Sequence, residues 1–438
     1  MEIDKTTLAD ISIFNADEEL SVFSKLNLCD TVNGKEQLLH NFSNPLQSVE
    51  EISAVQQIIK LLIENFDKTP TQITNGTIMV VEKFFTATID EIPSTASPIQ
   101  AINYKLLHGP DYSLVKYSAQ HCFDFIKGMK AWVKLLLTES TSYPLKKIVT
   151  YADKALQKPQ FNIVDEYANA KALSNGQLLQ LAHFIRYNYK HNMHELIAVH
   201  ATIDAWLGMA RAVKKYNLIF PDFVENEKPV LEVKGLYHLL LPTPVAYDVA
   251  LNQLTNFLFL TGANMAGKST FIKSVGSAVF LAHTGMGVPA TNMQLTYFDG
   301  LLSNINVVDN LIKGESYFYN EVQRIKATVT KISNGKKWLI LIDELFKGTN
   351  VQDAMKCSAT VIEGLHKNTT SIFILSTHLY EIAEDLKKYS NICFKYFETS
   401  IIDDQLQFSY QLKEGVSNDR LGYLILKKEG VVDMLEKL

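Results

Sequence analysis

The sequence predicts a multidomain α and α/β chain: a helical domain over residues 1–230, then a domain with a mainly parallel sheet over residues 231–438. Three observations predict it. Apolar residues in the first half recur at three- and four-residue spacing, as in SVEEISAVQQIIKLLIENF, which is the period of a helix with one buried face. At residues 217–229 the run NLIFPDFVENEKP turns acidic and proline-bearing, as linkers do. Beyond it, short β-rich runs (NFLFLTG, WLILIDE, SIFILSTH) alternate with helical ones, the pattern of parallel strands flanked by helices.

Composition bounds what such a chain can be. The 438 residues are 47% hydrophobic and 20% charged, which excludes a disordered or fibrous chain. Lys+Arg 42 against Asp+Glu 47 gives −5, so the whole molecule is no basic nucleic-acid coat. The charge is uneven: 6 − 15 = −9 over residues 1–100, 17 − 12 = +5 over 101–235, and 19 − 20 = −1 over 236–438. An anionic partner would find attraction in the middle segment. Cys29, Cys122, Cys357 and Cys393 are scattered and form no C-x-x-C pair, so neither a disulfide scaffold nor a zinc ribbon is read. The acidic, polar start MEIDKTTLADISIF is unlike a secretory leader, and no uncharged apolar run nears the ~20 residues of a membrane span. The expectation is a cytoplasmic protein with no membrane partner.

Residues 177–216 make the longest helical pattern, without proline and with Gly208 as the one glycine. Read as one rod at 1.5 Å per residue, it spans roughly 60 Å. His183, His191, His194 and His200 lie on it, but no cysteine or second pair supports a metal site.

The strand expected at residues 256–260 leads into Gly262-x-x-x-x-Gly267-Lys268-Ser269, a full Walker A pattern opening a helix. Gly262 and Gly267 permit the tight turn that aims backbone N–H groups at phosphate oxygens. Lys268 is placed to reach the β and γ phosphates, and Ser269 to ligate Mg²⁺. The apolar run 339–342 reads as a strand buried on both faces, and it ends in Asp343-Glu344. Asp343 is expected to support Mg²⁺ and Glu344 to polarise the attacking water. SIFILSTH brings Thr377 and His378 to the end of the next strand, where His378 would contact the γ-phosphate or the water. An acid pair here, with a polar residue or histidine after the following strand, marks the ABC-like branch of P-loop NTPases.

These motifs resemble the MutS DNA mismatch repair family. TGANMAGKST (261–270) is similar to that family's TGPNMxGKST, with Ala263 in the proline place. HTGMGVPA (283–290) resembles its G-x-x-VPA segment, DELFKGTN (343–350) its DEIGRGTS, and STH (376–378) its ATH; Phe346 and Lys347 depart from the pattern. In GLLSNINVVDNLIKGESYFYNE (300–321), Ser316 takes the signature-serine place and Phe318 and Glu321 match other fixed positions, while Asn304 replaces a common arginine. FSYQLKEGV (408–416) resembles the closing strand and LGYLILKK the helix after it.

The resemblance implies a helical core/lever domain before an ABC-like P-loop ATPase domain. It implies that ATP and Mg²⁺ bind through Gly262, Ala263, Asn264, Met265, Ala266, Gly267, Lys268, Ser269 and Thr270, with Asn264 folded over the phosphates. Catalysis falls to Glu344, His378 and Lys268, and metal support to Ser269 and Asp343. Tyr247, in TPVAYDVAL (243–251), is the expected adenine-stacking aromatic. Ser316 would act in trans, completing the partner's site in an ATP-dependent homodimer.

Departures shape the expected function. The mismatch-reading and connector domains are not seen, and Phe223-Val224-Glu225 reads as a coincidental Phe-x-Glu in the linker. A reduced DNA clamp is expected near 127–176; its first part, 127–158, has seven lysines against two acids and could meet phosphate. Two functions follow. One is an ATP-dependent DNA-binding protein whose hydrolysis moves a lever, reading mismatched, branched or junction DNA by shape. The other is a nucleotide-switched dimerisation module that does not bind DNA.

Overall fold

The computed structural model describes residues 1–94, 97–139, 141–305, 317–402, 405–417 and 431–435. They divide into two units. One comprises Leu26–Asn44 and Ser53–Lys215; the other comprises Met1–Lys25, Pro45–Ile52 and Tyr216–Leu438.

The first unit is helical, as the apolar spacing predicts. Its main helices are α1 (Val32–Ser43), α2 (Gly109–Leu136), α3 (Tyr143–Leu156), α4 (Asn175–His183) and α5 (Lys190–Lys215). α1 starts at Thr31, whose side chain accepts the Gly34 N–H. The buried carboxylate of Asp204 on α5 secures that start by accepting from the N–H groups of Asp30 and Thr31, both at 2.9 Å. By length and composition α5 would suit a membrane, yet 83% of its most apolar window is buried inside the protein, as in a core helix.

The single rod expected over 177–216 is interrupted. A π-helical turn, Phe184–Asn188, and then Tyr189 separate α4 from α5. Side chains hold the irregularity open, as such turns require. Tyr189 is buried between Phe161 and Phe184, with ring centroids at 5.0 and 5.4 Å, and its hydroxyl donates to the Ala155 carbonyl. Arg186 donates to the carbonyls of Phe84 and Ala87.

The lysine-rich stretch is less available than its count suggests. Lys127 Nζ donates to the carbonyls of Tyr167 (2.7 Å) and Ala168 (2.9 Å), capping the end of the short helix Asn162–Glu166. Lys130 pairs with Asp165 at 2.5 Å. Lys134, Lys146, Lys147, Lys154 and Lys158 are exposed.

The second unit holds two sheets. The larger contains β1 (Glu2–Ile3), β5 (Phe257–Thr261), β7 (Gly300–Asn304), β8 (Trp338–Asp343), β9 (Ser371–Ser376), β10 (Ile392–Ile402) and β11 (Gln405–Glu414), in the order β1-β7-β8-β9-β5-β10-β11. All neighbours run parallel except β10 and β11. β5, β7 and β9 are buried throughout, and β8 up to its final Asp343, which is why β5, β8 and β9 read as apolar runs; β7 also buries Ser303 and Asn304. Helix α6 (Lys268–His283) leads from β5 to a strand of the second sheet, and helices α7 (Tyr317–Ile332) and α8 (Val351–Leu365) join consecutive strands of the larger sheet. A smaller sheet orders β2 (Asp222–Phe223), β6 (Asn292–Leu295), β3 (Leu231–Leu236) and β4 (Tyr247–Leu251).

This division differs from the boundary expected at 230/231. Residues 1–25 and 45–52 belong with the sheet unit. The reason is pairing: Glu2 and Ile3 add a parallel strand beside Gly300 and Leu301. The buried Asp10 then accepts from Ser303 Oγ at 2.6 Å and the Ile305 N–H at 3.2 Å.

Gly300 stands opposite Trp338 in register, and a Cβ there would lie 2.0 Å from the buried indole. Gly300→Ala is therefore expected to destabilise the fold by at least about 1–3 kcal/mol, the usual range for overpacking. Urea unfolding checks this: the midpoint should fall with the slope unchanged. An unshifted midpoint would contradict the contact.

Candidate functional site

At the end of β5 the chain reverses through residues 262–267 into α6. Gly262 (φ 136°), Met265 (65°) and Gly267 (108°) all have left-handed backbone. Space is also tight at Gly262, where a Cβ would sit 3.2 Å from the Phe397 carbonyl oxygen; at Gly267, where a Cβ would meet the Tyr410 ring at an ordinary 3.4 Å, the backbone angle alone calls for glycine. A turn of this kind, opening the N-terminus of a 16-residue helix, forms a concave cup of N–H groups suited to an anion.

Lys268 is 7% exposed, and its Nζ donates to the carbonyls of Gly262 (2.7 Å) and Ala263 (2.9 Å). Burial lowers its pKa to about 8, against the pull of Asp343 and Glu344; Lys347 adds to the lowering. Asn264 and Met265 are exposed at the loop tip.

The acid pair at the end of β8 meets this loop. Ser269 Oγ donates to Asp343 Oδ2 at 2.5 Å, and Ser376, level with Asp343 across the β8–β9 register, donates to Oδ1. Glu344 also has left-handed backbone (φ 65°), and its N–H donates to the Ser376 carbonyl at 3.0 Å. Its Oε2 lies 3.2 Å from Lys347 Nζ and 3.8 Å from His378 Nε2. Burial lowers the pKa of His378. Lys268 and Lys347 push the same way and Glu344 and Asp343 oppose, so the neutral imidazole is favoured.

One cavity of about 520 Å³ is lined by Tyr247, Ala263, Asn264, Met265, Gly267, Lys268, Ser269, Thr270, Asp343, Glu344 and His378. Gly262 faces an adjoining recess with Thr377 and His378, and Ala266 is buried behind the loop. Ser316 and the helix expected at LGYLILKK lie outside the described residues.

Tyr247 lines the cavity, but it is 5% exposed and packs edge-on against Phe271 and Phe397. The aromatic open to the cavity is Tyr410, at 40% exposure, which the sequence reading missed. A bulge places it there. Phe397 pairs with Leu412 and Thr399 with Phe408, so three residues of β11 face one of β10, and Tyr410 turns to φ 53°. Also missed were the Ser376 hydroxyl on Asp343 and the Lys347 amine on Glu344.

The residues fit a magnesium-bound polyphosphate. A serine hydroxyl and a carboxylate oxygen 2.5 Å apart are hard oxygen ligands. Mg²⁺ commonly takes one or two carboxylates and completes its shell with substrate and water oxygens. Among the described residues no cluster of three or more His, Cys, Asp or Glu could hold a metal, so a thiolate or imidazole centre has no counterpart there. Ser269 and Asp343 would hold the cation, and the loop with Lys268 would hold the phosphates.

Comparison with known proteins finds similar chains. Residues 258–435 match the family model of MutS domain V. The DNA mismatch repair protein MutS of Streptococcus pyogenes serotype M5 (strain Manfredo) is 27% identical over 259 residues, which covers 57% of this chain and 30% of that protein. The proteins of the same name from serotype M3 (strain ATCC BAA-595 / MGAS315) and serotype M4 (strain MGAS10750) match to the same extent. The chain thus spans less than a third of the length of these relatives.

Proposed function

We propose, from the premise that this chain is a MutS-family protein, that it hydrolyses Mg-ATP and couples hydrolysis to DNA binding. The observation that carries the reading is the meeting of the glycine loop and the acid pair across one hydrogen bond, Ser269 to Asp343. Loop amides and Lys268 bind the β and γ phosphates, and Tyr410 offers its ring to the base. Magnesium, held by Ser269 and Asp343, would neutralise phosphate charge. Glu344 Oε2 orients the attacking water and takes its proton, and the neutral His378 Nε2 steadies the same water. Lys347, 3.2 Å from Oε2, holds Glu344 in place. Ser316 acts in trans in an ATP-dependent homodimer.

The lever belongs to the same reading. α5 is the last element of the helical unit, and the chain passes from Lys215 straight into the sheet unit. ATP binding would bias the geometry of this connection and so the grip on DNA. The DNA surface is the helical unit, through Lys134, Lys146, Lys147, Lys154 and Lys158. Lysine point charges meet phosphates and carry no base code, which favours shape, as in junctions and branches, over base identity.

The engagement of Lys127 and Lys130 with carbonyl and carboxylate oxygens favours a second reading, a nucleotide-switched dimerisation module that leaves DNA alone. One experiment separates them. Binding of duplex, mismatched duplex and four-way junction is titrated at several salt concentrations, with and without ATP. The first reading expects ATP-dependent junction binding, with log K falling by about 0.9 per unit of log salt for each phosphate contact. Undetectable binding to all three removes the DNA claim, and an ATP-dependent change of oligomer would then support the second.

A further inference from the structure

Glu321, in the second turn of α7, is a carboxylate at 4% exposure. A buried carboxylate requires donors, and it finds them on the loop that follows β8. Oε1 accepts the Lys347 N–H at 3.3 Å, and the N–H groups of Phe346 and Gly348 also act on the carboxylate. Oε2 is buried with no hydrogen-bond partner among the described residues, so the Lys347 amide is the donor that holds this side chain. Phe346 takes φ 60° beside it, a backbone that disfavours any side chain. Its ring is nevertheless buried, with its centroid 5.5 Å from that of Phe318. Phe318 and Glu321 are three apart and so share one face of α7. That face therefore grips the loop twice, through an anion and through a ring. On the same loop Glu344 and Lys347 turn into the cavity and pair at 3.2 Å.

We propose that Glu321 is a positioning residue for hydrolysis: by holding the Lys347 amide it keeps the loop, and with it Glu344, in the productive arrangement, so that α7 governs the hydrolytic rate without touching nucleotide. The proposal rests on the ATPase reading above. It adds a control point: displacement of α7 would slow hydrolysis and leave bound ATP in place.

The test uses the full chain and three readouts: steady-state ATP hydrolysis, ATP binding by calorimetry, and hydrogen exchange of residues 344–350. Glu321→Ala should lower kcat by about 10- to 100-fold, the scale of lost orientation, with KM and Kd unchanged. Exchange of the 344–350 amides should rise while that of α8 stays constant. Glu321→Gln keeps a carbonyl oxygen for the Lys347 N–H, should recover part of the rate, and carries the test if the alanine variant fails to fold. Added to Glu344→Gln, Glu321→Ala should slow hydrolysis no further, because both changes act through one group. A raised KM with kcat intact, fully additive losses, or unchanged exchange would each overturn the proposal. Failure of the wild-type chain to bind ATP would overturn the reading beneath it. Normal hydrolysis by Glu321→Ala beside an active wild type would overturn the proposal alone.

Discussion

Lys268→Ala is expected to weaken ATP binding by about 10²-fold or more, the scale for losing one partner of a buried charge pair. The expectation follows from the place of the amine. It is buried at the mouth of α6, bonded to the carbonyls of Gly262 and Ala263, with its pKa lowered to about 8. Only the ammonium form attracts phosphate. As pH rises through 8 the free protein loses that proton, so affinity should fall by up to about tenfold per pH unit. The alanine variant should lack this dependence. Calorimetric titration with Mg-ATP from pH 7 to 9.5 measures both effects. Equal affinity in the two proteins would remove Lys268 from the site.

Glu344→Gln is expected to lower kcat by about 10²- to 10⁴-fold, as for loss of a positioned base, with ATP binding retained. The amide fills the same space beside Lys347 and His378 but cannot take a proton. Since Glu344 is 27% exposed and its N–H is held by the Ser376 carbonyl, the loop should keep its shape. Single-turnover hydrolysis together with equilibrium binding separates the two quantities. Wild-type turnover in the variant would mean that another group activates the water.

What could be read from the sequence was chemistry confined to neighbouring residues. Phosphate binding demands glycines and a lysine at fixed spacing, so residues 262–269 announced themselves, and strands buried on both faces must be apolar throughout. The strand expected at 256–260 is Phe257–Thr261, a shift of one residue. Features that depend on partners far along the chain stayed hidden. Tyr410 reaches the cavity only because β10 and β11 pair with a bulge, and no local pattern states a register. The break before α5 depends on Tyr189 reaching the Ala155 carbonyl, whereas its own apolar spacing fits an unbroken helix equally well. Lys127 and Lys130 counted toward a basic surface until the end of helix Asn162–Glu166 was seen beside them.

The short strand at Glu2–Ile3 bears on how the chain can be cut. A fragment starting near residue 231 would hold every motif assigned to ATP, yet it would strip the flank of Gly300 and Leu301 and remove the acceptor of the Ser303 hydroxyl and the Ile305 amide. Bare flanks of this kind recruit strands from other molecules. The smallest piece that stays dispersed would thus have to be assembled from both extremities, with residues 1–25 grafted onto the rest.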